Sequence, residues 1–366
     1  MTPERSTRSE LPERFRLRVF AEACLALEEG VAAAKDIDIA MAAGAGMPPG
    51  PFAAADAEGL DTLLAALQRA EEAWGQAFSP PLVLLRLVNQ GRLGKKAGQG
   101  FYPYPGADAG KDGPAVLLEW RGPVAVAWLN RPPANALGRA LAEDLAAVWA
   151  EVDGKARALV LASTTPAIFC AGADIKEFGQ MDPAGGGAEA IDRMHALMRS
   201  MERSSTVTIA SVNSLTLGGG CELAMACDLR IAAESAIFGQ PEIALGIIPG
   251  FGGTQRLPRL VGEGKALEMN LLGSPIGAYE ALRIGLVNQV VPDHELFDVS
   301  LGWARRLAAQ APLAVSAIKR VSSGGGDLDA GLAREKEAFG AVFGSEDARE
   351  GVAAFVAKRR AVFKGS

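Results

Sequence analysis

A chain of 366 residues is longer than one small domain and sets an expectation of two or three units, each able to bury a core. With 49% hydrophobic residues, 22% charged residues and a formal net charge of −6, it reads as a soluble globular protein and not as a nucleic-acid binder. The four cysteines, Cys24, Cys170, Cys221 and Cys227, form no CxxC pair and have only His195 and His294 to join them; this argues against a metal site and for reduced thiols in a cytoplasmic protein.

Met1 to Phe20 carries charges of both signs without an apolar core, so it does not read as a secretory signal. From Arg14 to about Ala34, apolar residues recur at Leu17, Phe20, Cys24, Leu27 and Val31, the spacing of one amphipathic helix. Asp36 is placed to cap a second helix ending near Gly44, and the Pro-Pro-Gly-Pro run after Met47 breaks the chain. A third helix is predicted from about Leu60 to Trp74, and Pro80 and Pro81 open a fourth that Gly91 stops. No stretch up to Gly100 alternates like a strand. Pro103 to Pro114, rich in Pro, Gly and Asp, predicts a linker. The expected organisation is an all-α domain over 1–105, a linker over 106–115 and a second domain over 116–366.

Val116 to Trp120 and Val124 to Leu129, separated by Arg121, Gly122 and Pro123, predict a β-hairpin. Leu137, Leu141, Leu145 and Val148 mark a helix, and Ala158 to Leu161 a buried strand; the alternation indicates an α/β domain. Ala167 to Glu177 (AIFCAGADIKE) leaves a strand through Ala-Gly-Ala, with Asp174 suited to cap a helix. Gly185 to Gly187 predicts a flexible stretch before a helix from about Ala188 to Arg203, where His195 reads as an ordinary surface or core residue.

Thr206 to Val212 suits a buried strand, and it leads through Gly218, Gly219 and Gly220 into a helix over Cys221 to Cys227. Such a turn presents free backbone N–H groups to a ligand, although tight packing alone also explains three glycines. Ser204 to Cys221 is uncharged but too polar for a membrane span. Asp228 to Ala232 and Ala236 to Phe238 read as short strands. Glu242 after Pro241 suits a helix start, yet Phe238, Ile243 and Leu245 make an expensive setting for an idle carboxylate. The last hundred residues read as helical, with helices at Ala278 to Arg283, at His294 to Gln310 and from Pro312. Ser323 to Gly326 interrupts them, and Lys358, Arg359 and Arg360 form either a solvated face or a contact for a diphosphate.

Glu22 to Met41, Gly46 to Phe52 and Gly91 to Tyr104 (GRLGKKAGQGFYPY) resemble the C-terminal helical domain of 3-hydroxyacyl-CoA dehydrogenases. In that family it follows a dinucleotide-binding domain carrying the catalytic His and Glu. No GxGxxG follows a strand upstream here, and the family's substrate-contacting Asn aligns with Glu13. The resemblance therefore implies a packing, dimerisation or docking module and no NAD site.

IFCAGADIKE, SLTLGGGCELAMACD, FGQPEIALGIIPGFGGTQRLPR and GVAAFVAKRRAVFKG, in that order, resemble the enoyl-CoA hydratase/isomerase (crotonase) family from about Val116 to Gly365. The implied fold is an α/β crotonase-like ββα spiral with C-terminal helices, preceded by the small all-α domain. Matched by position, Ala173 and Gly219 supply the oxyanion-hole N–H groups, and Glu222 and Glu242 are the acid/base carboxylates. Glu222 is expected to activate water and Glu242 to protonate the α-carbon. Asn135, Ala136 and Leu137, then Ala171, Gly172, Asp174, Ile175 and Lys176, are expected along the CoA nucleotide, with Gly218 also among the substrate-binding residues and Pro241 and Gly250 bordering the acyl pocket. Family members that only shift double bonds usually keep one carboxylate of the pair, so both glutamates favour hydration of a 2-enoyl-CoA over isomerisation. The resemblance implies no cofactor beyond the CoA of the substrate, and a homo-oligomer, trimer or hexamer. An acyl-CoA-binding scaffold that recruits a separate NAD-binding dehydrogenase subunit is the competing reading, motivated by the helical module.

Overall fold

The computed structural model describes residues 11–105, 113–178, 186–322 and 327–366. The linker's interior at 106–112, the start of the predicted flexible stretch at Gly185 and the interruption at Ser323 to Gly326 lie outside the described residues. The chain divides into two compact units, Met1–Gly110 and Lys111–Ser366.

The first unit is α1 (Leu11–Glu28), α2 (Ala34–Gly44), α3 (Pro51–Glu58), α4 (Leu60–Trp74) and α5 (Leu82–Asn89). Helix α1 ends before the predicted Ala34 because Gly30 adopts φ 69°, and Val31, the last residue of the apolar stripe, is 71% exposed. Asp36 lies in the first turn of α2 but makes no capping hydrogen bond. The proline-rich break also starts a helix: Pro51 sits in the first turn of α3, where its missing N–H costs nothing. Leu17, Phe20, Phe52, Leu63, Leu67 and Leu84 form the core. Two carboxylates are buried with it. Asp38 accepts from the N–H groups of Phe52 (2.8 Å) and Ala53 (2.9 Å) and from the Tyr102 hydroxyl (2.8 Å). Asp56 accepts from the N–H groups of Phe101 and Tyr102, both at 2.9 Å, and from the Tyr104 hydroxyl.

The second unit begins with β1 (Val116–Arg121), β2 (Val124–Leu129), α6 (Arg139–Val152), β3 (Ala158–Ser163), β4 (Ile168–Cys170), α7 (Ile175–Phe178) and α8 (Gly186–Arg203). It continues through β5 (Val207–Val212), β6 (Leu215–Leu217), α9 (Gly219–Ala226), β7 (Leu229–Ala233), β8 (Ile237–Gly239), a 3₁₀ turn at Pro241–Leu245, α10 (Gly253–Val261) and α11 (Glu263–Leu272). It ends with β9 (Ile276–Gly277), α12 (Ala278–Arg283), β10 (Gln289–Val291), α13 (Leu296–Ala308), α14 (Pro312–Ser322), α15 (Leu328–Phe343) and α16 (Glu346–Val356). Two short strands thus interrupt the stretch read as wholly helical.

Among the described residues, one sheet has the order β1-β2-β3-β5-β7-β10, parallel except for the β1-β2 hairpin that turns at Gly122. The other has the order β4-β6-β8-β9, parallel except for β9. Successive strand pairs therefore place one strand in each sheet before a helix returns, which is the ββα spiral. Strand β2 explains why the central strands read as unbroken apolar runs: Ala125, Ala127 and Leu129 enter the core on one face, while Val124, Val126 and Trp128 pack against α13 on the other. Trp128 stacks on Phe297 at 4.8 Å. With both faces covered, the strand ends are firmly placed, and the turns leaving β4, β6 and β8 build the site. No helix among the described residues is long and apolar enough to cross a membrane.

Candidate active site

At the end of β6, Gly218 turns the chain with φ 50° and donates its N–H to the Gly239 carbonyl at 2.9 Å. A Cβ on Gly218 would stand 2.8 Å from Glu242 Oε1. On Gly219 it would meet the Phe251 ring at 2.9 Å and Leu137 at 3.1 Å, and on Gly220 the Cys170 carbonyl oxygen at 2.3 Å. Tight packing therefore requires glycine at all three positions.

The loops after β2 and β4 close onto this turn. Ala171 N donates to Ala134 O at 3.0 Å, Leu137 N to Gly172 O at 2.8 Å and Asp174 N to Leu137 O at 3.3 Å. Gly172, at φ 103°, abuts the glycine turn: its Cβ would lie 3.0 Å from Leu217 O and 3.6 Å from Gly219 N. Ala173 follows at once. Among the described residues, the N–H groups of Ala173 and Gly219 have no hydrogen-bond acceptor.

Other residues of these loops serve the scaffold. Asn135, at φ 47° and fully buried, accepts from Arg131 N at 2.8 Å and donates to Ser163 Oγ at 2.8 Å and Phe169 O at 3.0 Å. Its side chain is spent on the turn, so it offers a ligand only backbone. Asp174 caps α7 by accepting from Lys176 N at 3.1 Å. Ala136 is half-buried, whereas Ile175 and Lys176 are exposed. In the C-terminal basic cluster, Arg359 makes a two-pronged bond with Glu350 at 2.6 and 2.7 Å, as a solvated face would.

Glu222, in the first turn of α9, is 1% exposed, and its Oε1 accepts from Gly253 N at 2.6 Å. Burial pushes its carboxyl up to about 7, with the charge of Glu242 adding to the rise; the N–H groups of Gly253 and Phe251 and the Arg256 guanidinium oppose it. Glu242, in the 3₁₀ turn that Pro241 opens, is 9% exposed and is also raised by burial. Between them lies Gln240, fully buried; in the orientation that satisfies its neighbours its amide nitrogen donates to both Glu242 oxygens at 3.1 Å. The same amide borders Gly253, whose Cβ would fall 2.6 Å from it and 3.0 Å from Glu222 Oε1. Glu222, Gln240, Glu242, Gly218 and Gly253 thus converge.

The turn from Pro249 to Gly253 is held from α8 and α10. His195 bonds through Nε2 to the Gly250 carbonyl at 2.9 Å, beside Ile191. Arg256 donates to the Phe251 carbonyl at 2.7 Å and pairs with Glu202 at 2.5 Å. The ordinary-residue reading of His195 misses this bond, and Gln240, Gly253 and Arg256 stand within the family-like motif with no role legible from sequence. Their partners lie far away in sequence, so the visible clue is only the glycine-rich turn itself.

Residues 119–366 match the family model of enoyl-CoA hydratase/isomerase, and residues 12–104 that of the 3-hydroxyacyl-CoA dehydrogenase C-terminal domain. The short-chain-enoyl-CoA hydratase of Clostridium acetobutylicum is 44% identical over 250 residues, 67% of this chain and 95% of that protein. The crotonyl-CoA hydratase of Syntrophomonas wolfei is 44% identical over 256 residues, 68% of this chain and 97% of its own length. Among solved structures, the enoyl-CoA hydratase of Bacillus anthracis superposes with a TM-score of 0.66 at 40% identity, covering 69% of this chain and all of that one. With its fold, its glycine turn and this breadth of similarity, the chain belongs to the enoyl-CoA hydratase/isomerase family.

Proposed function

We propose that this protein is an enoyl-CoA hydratase, adding water across the double bond of a 2-enoyl-CoA to give a 3-hydroxyacyl-CoA. The observation that carries the reading is the convergence of two buried glutamates, from separate elements, on one glycine turn. Similarity to proteins named as hydratases supports it.

Attack of water at the β-carbon forms a C–O bond and sends the π electrons through the α-carbon to the thioester oxygen. The unengaged N–H groups of Ala173 and Gly219 are suited to receive that charge, and such donors contribute roughly 3 kcal/mol each. Glu222 takes the proton of the attacking water. Glu242, whose carboxyl burial also raises, gives a proton to the α-carbon as the enolate collapses. One turnover leaves Glu222 protonated and Glu242 ionised, so one proton returns between the coupled pair before the next. Gln240 orients Glu242 for this exchange. Lys176 and the neighbouring backbone at 171–175 are offered to the CoA phosphates, and Pro241 and Gly250 to the acyl group. The reaction requires no cofactor beyond the CoA of its substrate.

The reading extends to acyl-CoA degradation in the cytoplasm by a homo-oligomer, in keeping with the four free, buried cysteines. Loss of the conjugated thioester absorbance on adding a short 2-enoyl-CoA tests the activity. Equal rates for wild type and the Glu222→Ala/Glu242→Ala double variant would sink the assignment.

A further inference from the structure

We infer that α8 acts on the reaction through the turn at 249–253: His195 and the Glu202–Arg256 pair are positioning residues that fix where Gly253 holds Glu222. This rests on the reading of Glu222 as the base.

Phe251 anchors the turn in the core, but the positions around it, Gly250, Gly252 and Gly253, have no side chains to pack. Their placement depends on what binds the turn's carbonyls. The Gly250 carbonyl faces His195 Nε2 at 2.9 Å, and since a carbonyl only accepts, that nitrogen carries the hydrogen. The next carbonyl, of Phe251, accepts from Arg256 Nη1 at 2.7 Å. Arg256 in turn is gripped through Nε by Glu202 at 2.5 Å, with side chains only 13% and 26% exposed. His195 and Glu202 are seven residues apart (202 minus 195), about two helical turns, and so share one face of α8.

Two consecutive carbonyls are therefore tied to one helix face, directly and through a guanidinium. Two residues further on, Gly253 N meets Glu222 at 2.6 Å. Gly252 completes the arrangement: at φ 104° it leaves free the space that Arg256 Nη1 occupies, 2.1 Å from where a Cβ would stand. Loosening either tie lets Gly253 drift and Glu222 with it.

Arg256 has a second effect. The charged and titratable groups around Glu222 are Glu242 from the 3₁₀ turn, Arg256 from α10 with Glu202 behind it on α8, and Cys221 on its own helix with Arg230 beyond. Arg256 supplies the positive charge that favours ionised Glu222. Lysine in its place would keep the charge but not the fork that binds a carbonyl and a carboxylate together.

The test compares R256Q, R256K, H195L and H195N with E222Q as reference, measuring kcat, KM and pH dependence with a short 2-enoyl-CoA, together with thermal melting. R256Q is expected to lower kcat about tenfold or more with KM changed less than about threefold, the scale of a misplaced catalytic group. It also moves the acid limb of kcat/KM to higher pH. R256K keeps the wild-type acid limb but remains slower than wild type. H195L lowers kcat about fivefold without moving the limb, and H195N, which retains an N–H donor, recovers part of it. An R256Q protein with wild-type kcat and an unshifted limb overturns the inference. Should R256Q fail to fold, unchanged kcat in both R256K and H195L overturns it equally. Wild-type turnover by E222Q would instead remove the base assignment, a failure distinguishable from that of the clamp.

Discussion

Each unit buries a pair of carboxylates, and in each pair one member is pushed up to about 7 by burial: Asp56 among the helices, Glu222 in the α/β unit. The resemblance ends at their partners. Asp38 and Asp56 each accept two backbone N–H groups and a tyrosine hydroxyl, so their oxygens are taken up in joining segments of the chain. Glu222 accepts from the N–H groups of Gly253 and Phe251 but from no hydroxyl among the described residues, and Glu242 from the Gln240 amide and its own backbone N–H. A raised carboxyl therefore does not by itself mark chemistry; what separates the pairs is how much acceptor capacity the fold leaves unspent.

The sharpest way to break this comparison is to neutralise one member of each pair. Glu222→Gln is expected to lower turnover by about 10²–10⁴-fold while leaving the melting temperature unchanged or higher, because it removes a buried charge. Absorbance-based turnover and calorimetry read the two effects. Asp56→Asn should do the reverse. Its amide turns a donor toward one of the N–H groups of Phe101 or Tyr102, costing about 1–3 kcal/mol of stability in denaturant unfolding, with kcat intact.

Changing pH tests both pairs together. An acid whose folded pKa lies above its unfolded value binds more protons when folded, so its contribution is complete below the ordinary carboxylate range and is lost as pH climbs toward the folded value. For Asp56, raised from the ordinary 3.8 to about 7, stability should fall between those values. Denaturation at stepped pH should show that decline, and Asp56→Asn should flatten it. In the glutamate pair, Glu242→Gln removes a negative charge that raises Glu222, so the acid limb of the residual activity should move to lower pH.

The smallest effect is expected at the rim. Lys176→Ala should raise KM about twofold to fivefold without changing kcat, the scale of an exposed ion pair. A large loss of kcat would give this exposed side chain a role in the chemistry that the proposed assignment does not.

Local signals account for what was legible in the sequence. Leu60 to Trp74 is a helix as its leucine spacing indicates, and the hairpin turns at Gly122 where the apolar runs stop. Glu242 stands out in the sequence because a carboxylate suits its apolar neighbours poorly, whereas Glu222 is marked by its place after the glycine turn and by the family resemblance. Strand β10 is not legible in the sequence because three residues carry no periodicity; pairing with β7 creates it. The same applies to Gly253, Arg256 and His195, whose partners lie 31, 54 and 55 residues away. Such roles belong to the folded neighbourhood and leave no mark on either segment alone.

The three glycines at 218–220 carry a consequence for suppressor genetics. Alanine at 219 collides with side chains, Phe251 and Leu137, so a second substitution that shortens Phe251 should restore room for it. Alanine at 220 collides with the backbone carbonyl of Cys170, which no replacement of a neighbouring side chain can remove. A selection for revertants should therefore yield second-site suppressors of the first lesion and only true reversion of the second, although the two changes are chemically identical and adjacent in the chain.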